Sequence, residues 1–157
     1  MDNTTYSLDA VDCAMIGVFR RLGRVSNARL ATEVGIARGT VQSRLARLTD
    51  ANIIESWGPE LNPHRTNYQV VAFTTLSIAQ GAHDDVVAEI AKIPQVLEVH
   101  VVTGAGDLLC RVVATSNDQL HEVVQLVVSI PGVIRSESQL ALHTPVRRSL
   151  ADLIGEA

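Results

Sequence analysis

The sequence predicts an α+β protein, with an N-terminal winged helix-turn-helix followed by a ferredoxin-like β-α-β-β-α-β domain. Three observations lead to this prediction. Apolar residues recur at helical spacing through residues 8–48, and two of the resulting segments meet at Gly35. The second half contains an internal repeat of helix, proline turn and strand. Seven arginines and one acid lie between Arg20 and Arg47, in a chain whose net charge is −4.

Composition places the chain among ordinary globular proteins. Its 157 residues suit one domain or two small ones, and 46% hydrophobic with 19% charged residues excludes the disordered class. Cys13 and Cys110 fit neither a disulfide framework nor a metal site, and predict two buried thiols in a reducing cytoplasm. The sequence has no signal-peptide core and no apolar run of membrane length. We therefore expect a soluble, cytoplasmic protein without a membrane partner.

Two helices are predicted before Gly35. The first, SLDAVDCAMIGVFRRL, has Ser7 as its candidate N-cap and ends at Gly23. The second, SNARLATEV, has Ser26 as its N-cap and ends at Gly35, where we expect a left-handed conformation. Their buried sides are predicted from the apolar residues at helical spacing: Leu8, Val11, Met15, Val18, Phe19 and Leu22 in the first helix, and Leu30, Ala31 and Val34 in the second.

The third helix, ARGTVQSRLARLTDA, has an apolar stripe and a polar outward side. At about 100° per residue, Val41, Leu45 and Leu48 form the buried stripe. The stretch IIESWGPELNP that follows suits a small β-wing, and Pro63–Asn67 suits a linker. The outward side of the helix carries Arg38, Gly39, Gln42, Ser43 and Ala46, with Arg44 and Arg47 on opposite shoulders of the stripe.

The arginines of the third helix favour contact with a polyanion. A basic patch on an acidic protein is typical of nucleic-acid binding, and arginine suits bidentate contacts with phosphate and guanine. Arg38 and Gln42 suit the edges of guanine and adenine, and Thr40 can donate to a phosphate. The alternative is a surface helix with a solvated arginine face. Together with the glycine turn and the wing candidate, the pattern favours double-stranded DNA, with these contact residues: Arg38, Gly39, Thr40, Gln42, Ser43, Arg44 and Arg47.

The internal repeat predicts the second domain. In its two copies, Val86 and Pro94 correspond to Val123 and Pro131, and each copy follows a strand, which gives the order β-α-β-β-α-β. Helices would cover one sheet face, and we expect the aliphatic other face to be covered by a second subunit. The tail PVRRSLADLIGEA suits a packing or subunit contact. The predicted division is a DNA-binding domain at residues 1–62, a linker and first strand at 63–78, and the ferredoxin-like domain at 68–157.

The stretch VTGAGDLL, from Val102 to Leu109, is the second candidate site. One interpretation is a hairpin turn in which Asp107 caps its own backbone. The other is a small-molecule site, where turn amides bind a carboxylate and Asp107 binds an ammonium, as in the two charged ends of an amino acid. The five histidines lack metal-ligand spacing and no catalytic constellation is present, so we predict neither a metal site nor an enzyme.

From about Leu8 to Thr144, the chain resembles the leucine-responsive regulator/AsnC family, also called feast/famine regulatory proteins. The resemblance rests on LDAVDCAMIGVF, GRVSNARLATEVGIARGTVQSRLARLTDANII, VTGAGDLL and SIPGVIRSESQLAL, in this order. It implies a transcription regulator without a cofactor, a recognition helix at Arg38–Leu48, and dimers that join through their sheets and assemble into an octameric ring. It also implies an effector, usually an amino acid, bound between dimers by Val101, Thr103, Gly104, Gly106 and Asp107, with Gln139 and Leu140 from the last strand.

The chain departs from the family pattern at three places. Ala37 stands where the family often has Ser, the wing segment is ESWGPELN, and the turn GAGD has small residues, which suggests a larger or aromatic amino acid as effector. Two other functions stay open. An architectural DNA-binding protein without a functional effector site would bind DNA identically with and without amino acids. A small-molecule-binding or enzymatic ferredoxin-like domain would leave the arginine cluster unexplained.

Overall fold

The computed structural model describes residues 6–155, which form two compact units. The first unit contains the described parts of Met1–Pro59 and Val146–Ala157, and the second is Glu60–Pro145. The first is helical and the second is a four-stranded sheet with helices, so the α+β class is confirmed. The elements in chain order are α1 (Ala10–Leu22), α2 (Asn27–Val34), α3 (Arg38–Asp50), a 3₁₀ turn (Pro63–Arg65), β1 (Val70–Ile78), α4 (His83–Ile90), β2 (Val96–Val101), β3 (Leu108–Ala114), α5 (Asn117–Val128), β4 (Val133–Leu140) and α6 (Leu150–Ile154). In the described residues, no helix has the length and apolar character needed to cross a membrane.

The first helix is capped by Asp9, and not by Ser7 as predicted. The Asp9 carboxylate accepts hydrogen bonds from the backbone amides of Val11 and Asp12, both at 2.9 Å. The Asp12 carboxylate accepts in return from the Asp9 amide at 3.3 Å, which completes a capping box. Because this box satisfies three amides at the helix start, α1 begins at Ala10.

The second and third helices form the predicted helix-turn-helix. The Ser26 hydroxyl caps α2 by accepting from the Arg29 amide at 3.3 Å. Gly35 ends α2 with φ 75° and ψ 33°, the left-handed conformation that glycine adopts without a Cβ clash. α3 begins after Ala37, which provides no side-chain cap. The core of this unit includes Met15, Val18, Leu30, Val41 and Leu48, whereas Leu22, expected on the buried side, is 42% exposed on the last turn of α1.

The segment after α3 does not form the predicted β-wing. Residues 51–62 contain no strand, and Pro59 lacks the amide that a strand ladder would use. Trp57 instead packs edge-on against Phe19 of α1, with ring centroids 4.9 Å apart and planes at 81°. The Arg24 guanidinium lies 4.9 Å from the centre of the Trp57 ring. This segment is therefore held by aromatic and cation–π contacts and not by strand pairing.

The C-terminal tail packs on the first unit, although the sequence predicted it as part of the second domain. α6 lies against α1, where Gly17 and Gly155 bring the two backbones together, and a Cβ on Gly155 would be 3.1 Å from the Gly17 Cα. Asp152 forms an ion pair with Arg20 of α1 and accepts from the Ser149 amide at 2.7 Å. The close backbone approach and the ion pair are the physical reasons for this placement.

The four strands form the predicted ferredoxin-like sheet, antiparallel in the order β2-β3-β1-β4. The internal repeat corresponds to equivalent structure, since Val86 of α4 and Val123 of α5 are both buried against the sheet. An aliphatic core packs between these two helices and the sheet. Its strand residues are Ala72, Leu76, Leu108, Cys110, Val112 and Ala114.

The face of the sheet opposite the helices is mixed, whereas the sequence predicted an aliphatic one. One row across the four strands consists of Glu98, Arg111, Phe73 and Gln139. Arg111 Nη2 forms an ion pair with Glu98 Oε1 at 2.5 Å, and Phe73 is 40% exposed. The reason is the two-residue period of a strand, which directs most apolar side chains of β1 and β3 to the helix side.

The chain passes between the two units at Pro59, ahead of the predicted linker at Pro63–Asn67. The predicted linker contains the 3₁₀ turn, which packs on β1 within the second unit. The Asn62 side chain caps this turn by accepting from the His64 amide at 3.0 Å. A capping residue followed by proline thus starts an ordered element here.

Candidate functional site

The third helix presents a continuous polar face. Val41 and Leu48 are buried and Leu45 is half-buried, so the predicted apolar stripe is confirmed. Arg38 forms no ion pair with any residue that the structure describes. The start of α3 therefore carries an uncompensated positive charge. Of the predicted contact residues, Arg44 is half-buried and the others are exposed: Arg38, Gly39, Thr40, Gln42, Ser43 and Arg47.

Two arginines of α3 are held by acids of the α1 N-terminus, which sequence reasoning missed. Arg44 Nη1 donates to Asp9 at 2.6 Å and to Asp12 at 2.9 Å. Arg47 Nη2 donates to Asp12 at 3.3 Å, and its guanidinium lies 5.2 Å from the centre of the Tyr6 ring. The hydrogen bond from Arg44 lowers the pKa of Asp9, and the same bond raises the pKa of Arg44. The signal in the sequence was the matching spacing, with acids three apart on one helix and arginines three apart on another.

Acids from outside the arginine-rich segment compensate part of the predicted basic patch. Besides the two acids of α1, Asp152 pairs with Arg20. Within α2, Arg29 Nε lies 3.6 Å from Glu33 Oε1. The positive charge available to an external anion is therefore smaller than the sequence count implies. Of the seven arginines, those without an ion pair to any residue in 6–155 are Arg21, Arg24 and Arg38.

The connection between β2 and β3 is the predicted glycine turn. Gly104 has φ 116°, a conformation that other residues rarely adopt. Gly106 lies directly on β1, where a Cβ would collide with the Thr75 side chain. The Asp107 carboxylate accepts from the Ile78 amide at 2.8 Å. Asp107 therefore fastens the turn to β1, and does not cap the turn's own backbone as the hairpin interpretation proposed.

The predicted effector residues fall into two groups that one chain does not bring together. The amides of residues 103–106 donate no hydrogen bond to the described residues, and Val101 is 70% exposed beside them. Gln139 and Leu140 lie on β4, whereas the turn follows β2 and contacts β1 from the β3 side. β1 separates the groups by two strand spacings, or about 10 Å. A ligand contacted by both groups would need a second chain.

The other candidate residues show no catalytic or metal-binding arrangement. Cys110 is buried, and burial raises the pKa of its thiol to about 11. Cys13 is only half-buried, although the sequence predicted two buried thiols. Residues 6–155 contain no group of three or more His, Cys, Asp or Glu side chains placed to hold a metal ion.

Family models match both units of the structure. The Lrp/AsnC ligand binding domain matches residues 71–151, and the AsnC-type helix-turn-helix domain matches residues 8–49. The chain belongs to the Lrp/AsnC family. The resemblance stated from the sequence is thereby confirmed, and the chain is a transcriptional regulator and not an enzyme.

Similar members of the Lrp/AsnC family are known from archaea and bacteria. FL11, an HTH-type transcriptional regulator of Pyrococcus horikoshii, is 25% identical over 137 residues, which cover 87% of this chain and 91% of FL11. A transcriptional regulator of Neisseria meningitidis, solved as an L-Met complex, has a TM-score of 0.80 and 28% identity over 92% of this chain and 96% of that one. A feast or famine regulatory protein of Mycobacterium tuberculosis, complexed with L-methionine, has a TM-score of 0.80 and 25% identity over 90% and 96%.

Proposed function

We propose that this Lrp/AsnC regulator reads specific double-stranded DNA with α3, and that an amino acid bound at the glycine turn alters its DNA binding or assembly. The observation that carries the DNA proposal is the exposed polar face of α3 with Arg38 unpaired among the described residues. The effector proposal is supported by the amides of residues 103–106, which donate no hydrogen bond to the described residues, and by the methionine complexes of two similar proteins.

The proposed DNA contacts centre on Arg38, Gln42 and Arg47. Arg38 and Gln42 lie on the first turns of α3, where recognition helices contact base edges. Because Ala37 gives no side-chain cap, the first amides of α3 remain available to a phosphate. Gly39 is exposed with open space around its Cβ position, which permits close approach to a groove. Thr40 and Ser43 complete the face, while Arg44 is left out because its side chain is only 22% exposed and its Nη1 is held by Asp9 and Asp12.

The proposed effector contacts use the two charged ends of an amino acid. The amides of Thr103, Gly104 and Gly106 would bind the carboxylate. The Asp107 oxygen that Ile78 does not occupy would accept from the ammonium, and exposed Val101 would contact the side chain. Gln139 and Leu140 of a second chain would complete the site, since β1 separates them from the turn of their own chain. The small turn residues favour a large effector, such as methionine or an aromatic amino acid.

The proposed assembly is a homodimer joined through the open sheet faces, which associates further into an octamer. The row containing Phe73, Arg111 and Glu98 leaves an apolar ring exposed beside an ion pair in the isolated chain. A second copy would cover the exposed ring and present the same groups in reverse order, as a twofold axis requires.

The DNA proposal is tested by titrating the full chain with its own upstream region and with a scrambled duplex. We expect Arg38→Ala to weaken binding to the upstream region by about 1–3 kcal/mol, and to change scrambled binding less. Lys92→Ala is the matched control, because it removes the same charge from an exposed site in the second unit. Equal specific affinities of wild type and Arg38→Ala would overturn the assignment of α3.

The effector proposal is tested by calorimetry of the wild type with each of the twenty amino acids. We expect heat from one or a few large amino acids, and a loss of that heat in Asp107→Asn, because the asparagine oxygen keeps the bond from Ile78 but has no charge for the ammonium. Asp118→Asn, at an exposed acid of α5, is the control. Binding of small amino acids only would contradict the size argument. No binding, with DNA affinity intact, would favour an architectural DNA-binding protein.

A further inference from the structure

Asp12 is the only charged side chain that is fully buried among residues 6–155. Its carboxylate accepts from Arg44 at 2.9 Å, from Arg47 at 3.3 Å and from the Tyr6 hydroxyl at 3.4 Å. A buried carboxylate is unfavourable unless charges and hydrogen bonds replace its lost water. These residues, together with Asp9, are called the Asp12 cluster below.

Helix capping does not explain the Asp12 cluster. The capping box requires only that Asp12 accept from the Asp9 amide, and an exposed acid can make that bond equally well. Helix packing does not explain it either, because apolar residues of similar volume hold two helices at least as well as a buried ion pair. What a buried carboxylate adds is a fixed direction for the guanidinium groups that contact it.

The two arginines of the Asp12 cluster are held to different degrees. The Arg44 side chain is 22% exposed, and its Nη1 contacts both Asp9 and Asp12. The Arg47 side chain is 53% exposed and contacts Asp12 through one nitrogen, with its guanidinium carbon 5.2 Å from the centre of the Tyr6 ring. Arg44 is therefore largely withdrawn into the unit, whereas more than half of the Arg47 side chain stays exposed to an external partner.

We propose that Asp12 is a positioning residue for DNA reading by α3. It holds Arg47 in one orientation on the exposed face, and it shares Arg44 with Asp9. The proposal rests on the proposed DNA-binding function of α3. Without Asp12, Arg44 would keep its bonds to Asp9, whereas Arg47 would contact whichever phosphates are near. Such contacts carry no sequence information and make affinity depend more steeply on salt.

The experiment measures Kd of the full chain for two duplexes over a range of salt concentrations. One duplex is selected from a randomised pool by the wild-type protein, and the other is its scrambled version. The variant is Asp12→Asn, which keeps the shape and removes the charge. Asp50→Asn is the matched control, because Asp50 is an exposed acid at the end of α3 without an ion pair to the described residues.

We expect Asp12→Asn to reduce the ratio of selected to scrambled affinity about tenfold, which is the size of one base-specific contact. We also expect its salt slope on the scrambled duplex to steepen by about 1, as one further phosphate contact would give. A merely structural role would reduce the active fraction and weaken both affinities equally, with no change in slope. Asp50→Asn should keep the wild-type ratio. If Asp12→Asn has the same affinity ratio and the same salt slope as Asp50→Asn, the proposal is overturned.

A double variant keeps the test decisive if Asp12→Asn does not fold. Asp12→Asn with Arg44→Gln removes the buried charge together with its nearest partner, so no unpaired buried charge remains. Arg47 then lacks its anchor, and the same fall in the affinity ratio is expected, while an unchanged ratio contradicts the proposal. Failure of the proposed function looks different, because the wild type would then select no duplex over its scrambled version.

Discussion

Arg38 and Arg44 illustrate how surroundings decide what an arginine of one helix can do. Arg38 is exposed and unpaired within residues 6–155, whereas Arg44 donates to Asp9 and Asp12. The exposure of the side chain and its ion pairs therefore separate the two arginines, and Arg38 is the better candidate for a base contact.

The charge of the α1 cap predicts a pH dependence of stability. Because Arg44 holds the pKa of Asp9 below its ordinary value of 3.8, the Asp9 carboxylate stabilises the fold above that pH and ceases to do so as the pH falls through its lowered pKa. Asparagine keeps the cap but has no charge. We therefore expect the Tm of Asp9→Asn to lie below wild type at about pH 7, with a difference that shrinks as the pH falls below 3.8.

Thermal unfolding of the variant and wild type over this pH range is the measurement. Asp50→Asn serves as control for the loss of one charge and should show no such trend. A Tm difference between Asp9→Asn and wild type that is constant with pH would contradict the role assigned to the Asp9–Arg44 ion pair.

The sequence predicted which side chains of α3 are exposed, but it did not predict which acids pair with the arginines of α3. Arg38 and Gln42 follow from the helical period, which fixes the face on which each residue lies. The pairing of Arg44 with Asp9 joins residues on two different helices. It depends on how α1 and α3 pack, and the matching three-residue spacing of the acids and the arginines does not by itself show which helices pack together. The same reason applies to the Arg20–Asp152 pair, whose members lie at opposite ends of the chain.

At the scale of elements, Gly39 lowers the helix stability of α3 but keeps the outward face of the helix flat. Gly39 is exposed and its Cβ position is empty space, so an alanine would fit without strain. We expect Gly39→Ala to raise the free energy of unfolding by about 0.5–1 kcal/mol. We also expect it to weaken DNA binding several-fold, because the methyl group lies where α3 would meet the groove.

Urea unfolding and DNA titration of the same preparations measure the two effects. Ala46→Gly is the matched control on the same face, and it should lower stability without adding bulk. A Gly39→Ala protein that gains both stability and DNA affinity would contradict the close approach of this face to DNA.

The tail helix offers a second prediction at this scale. In Gly155→Ala, the new methyl group would lie 3.1 Å from the Gly17 Cα and 3.0 Å from the Ala151 carbonyl oxygen, both of them backbone atoms. We expect α6 to leave α1 and residues 146–155 to exchange their amide hydrogens faster. Leu153→Ala, at a side chain that is 63% exposed, should leave exchange unchanged. Wild-type protection in Gly155→Ala would show that the contact with α1 does not hold the tail.

At the scale of the whole molecule, the open sheet face carries the assembly prediction. Phe73 is 40% exposed in the middle of that face, so a charge there is tolerated by the isolated chain. In a sheet-to-sheet dimer the same charge would lose its water, and it would compete with Glu98 for Arg111, the cross-strand neighbour of Phe73. We expect Phe73→Glu to give monomers in sedimentation analysis at concentrations where the wild type is oligomeric. Leu126→Glu, 56% exposed on α5, should stay oligomeric, and an oligomeric Phe73→Glu would contradict the interface.

The sequence was sufficient for the architecture because its periodic signals are local. The helical period of residues 8–48 predicts the helices of the first unit. The repeat that aligns Val86 with Val123 predicts the chain order of strands and helices in the second unit. The β-wing and the assignment of the tail to the second domain differ from the structure for a shared reason. Trp57 packs on Phe19 and α6 packs on α1, and both contacts are between segments distant in sequence. The effector residues on β4 and at the glycine turn likewise follow from the family pattern and not from contacts within one chain.

The most direct test of the central claim is DNA binding by the purified full chain to its own upstream region, at two salt concentrations, with and without a pool of amino acids. We expect specific binding that weakens steeply with salt, through phosphate contacts from α3, and that shifts when amino acids are added. Binding that is the same with and without amino acids would contradict the proposed effector. No binding at either salt concentration would contradict the assignment of α3 as the DNA-reading helix.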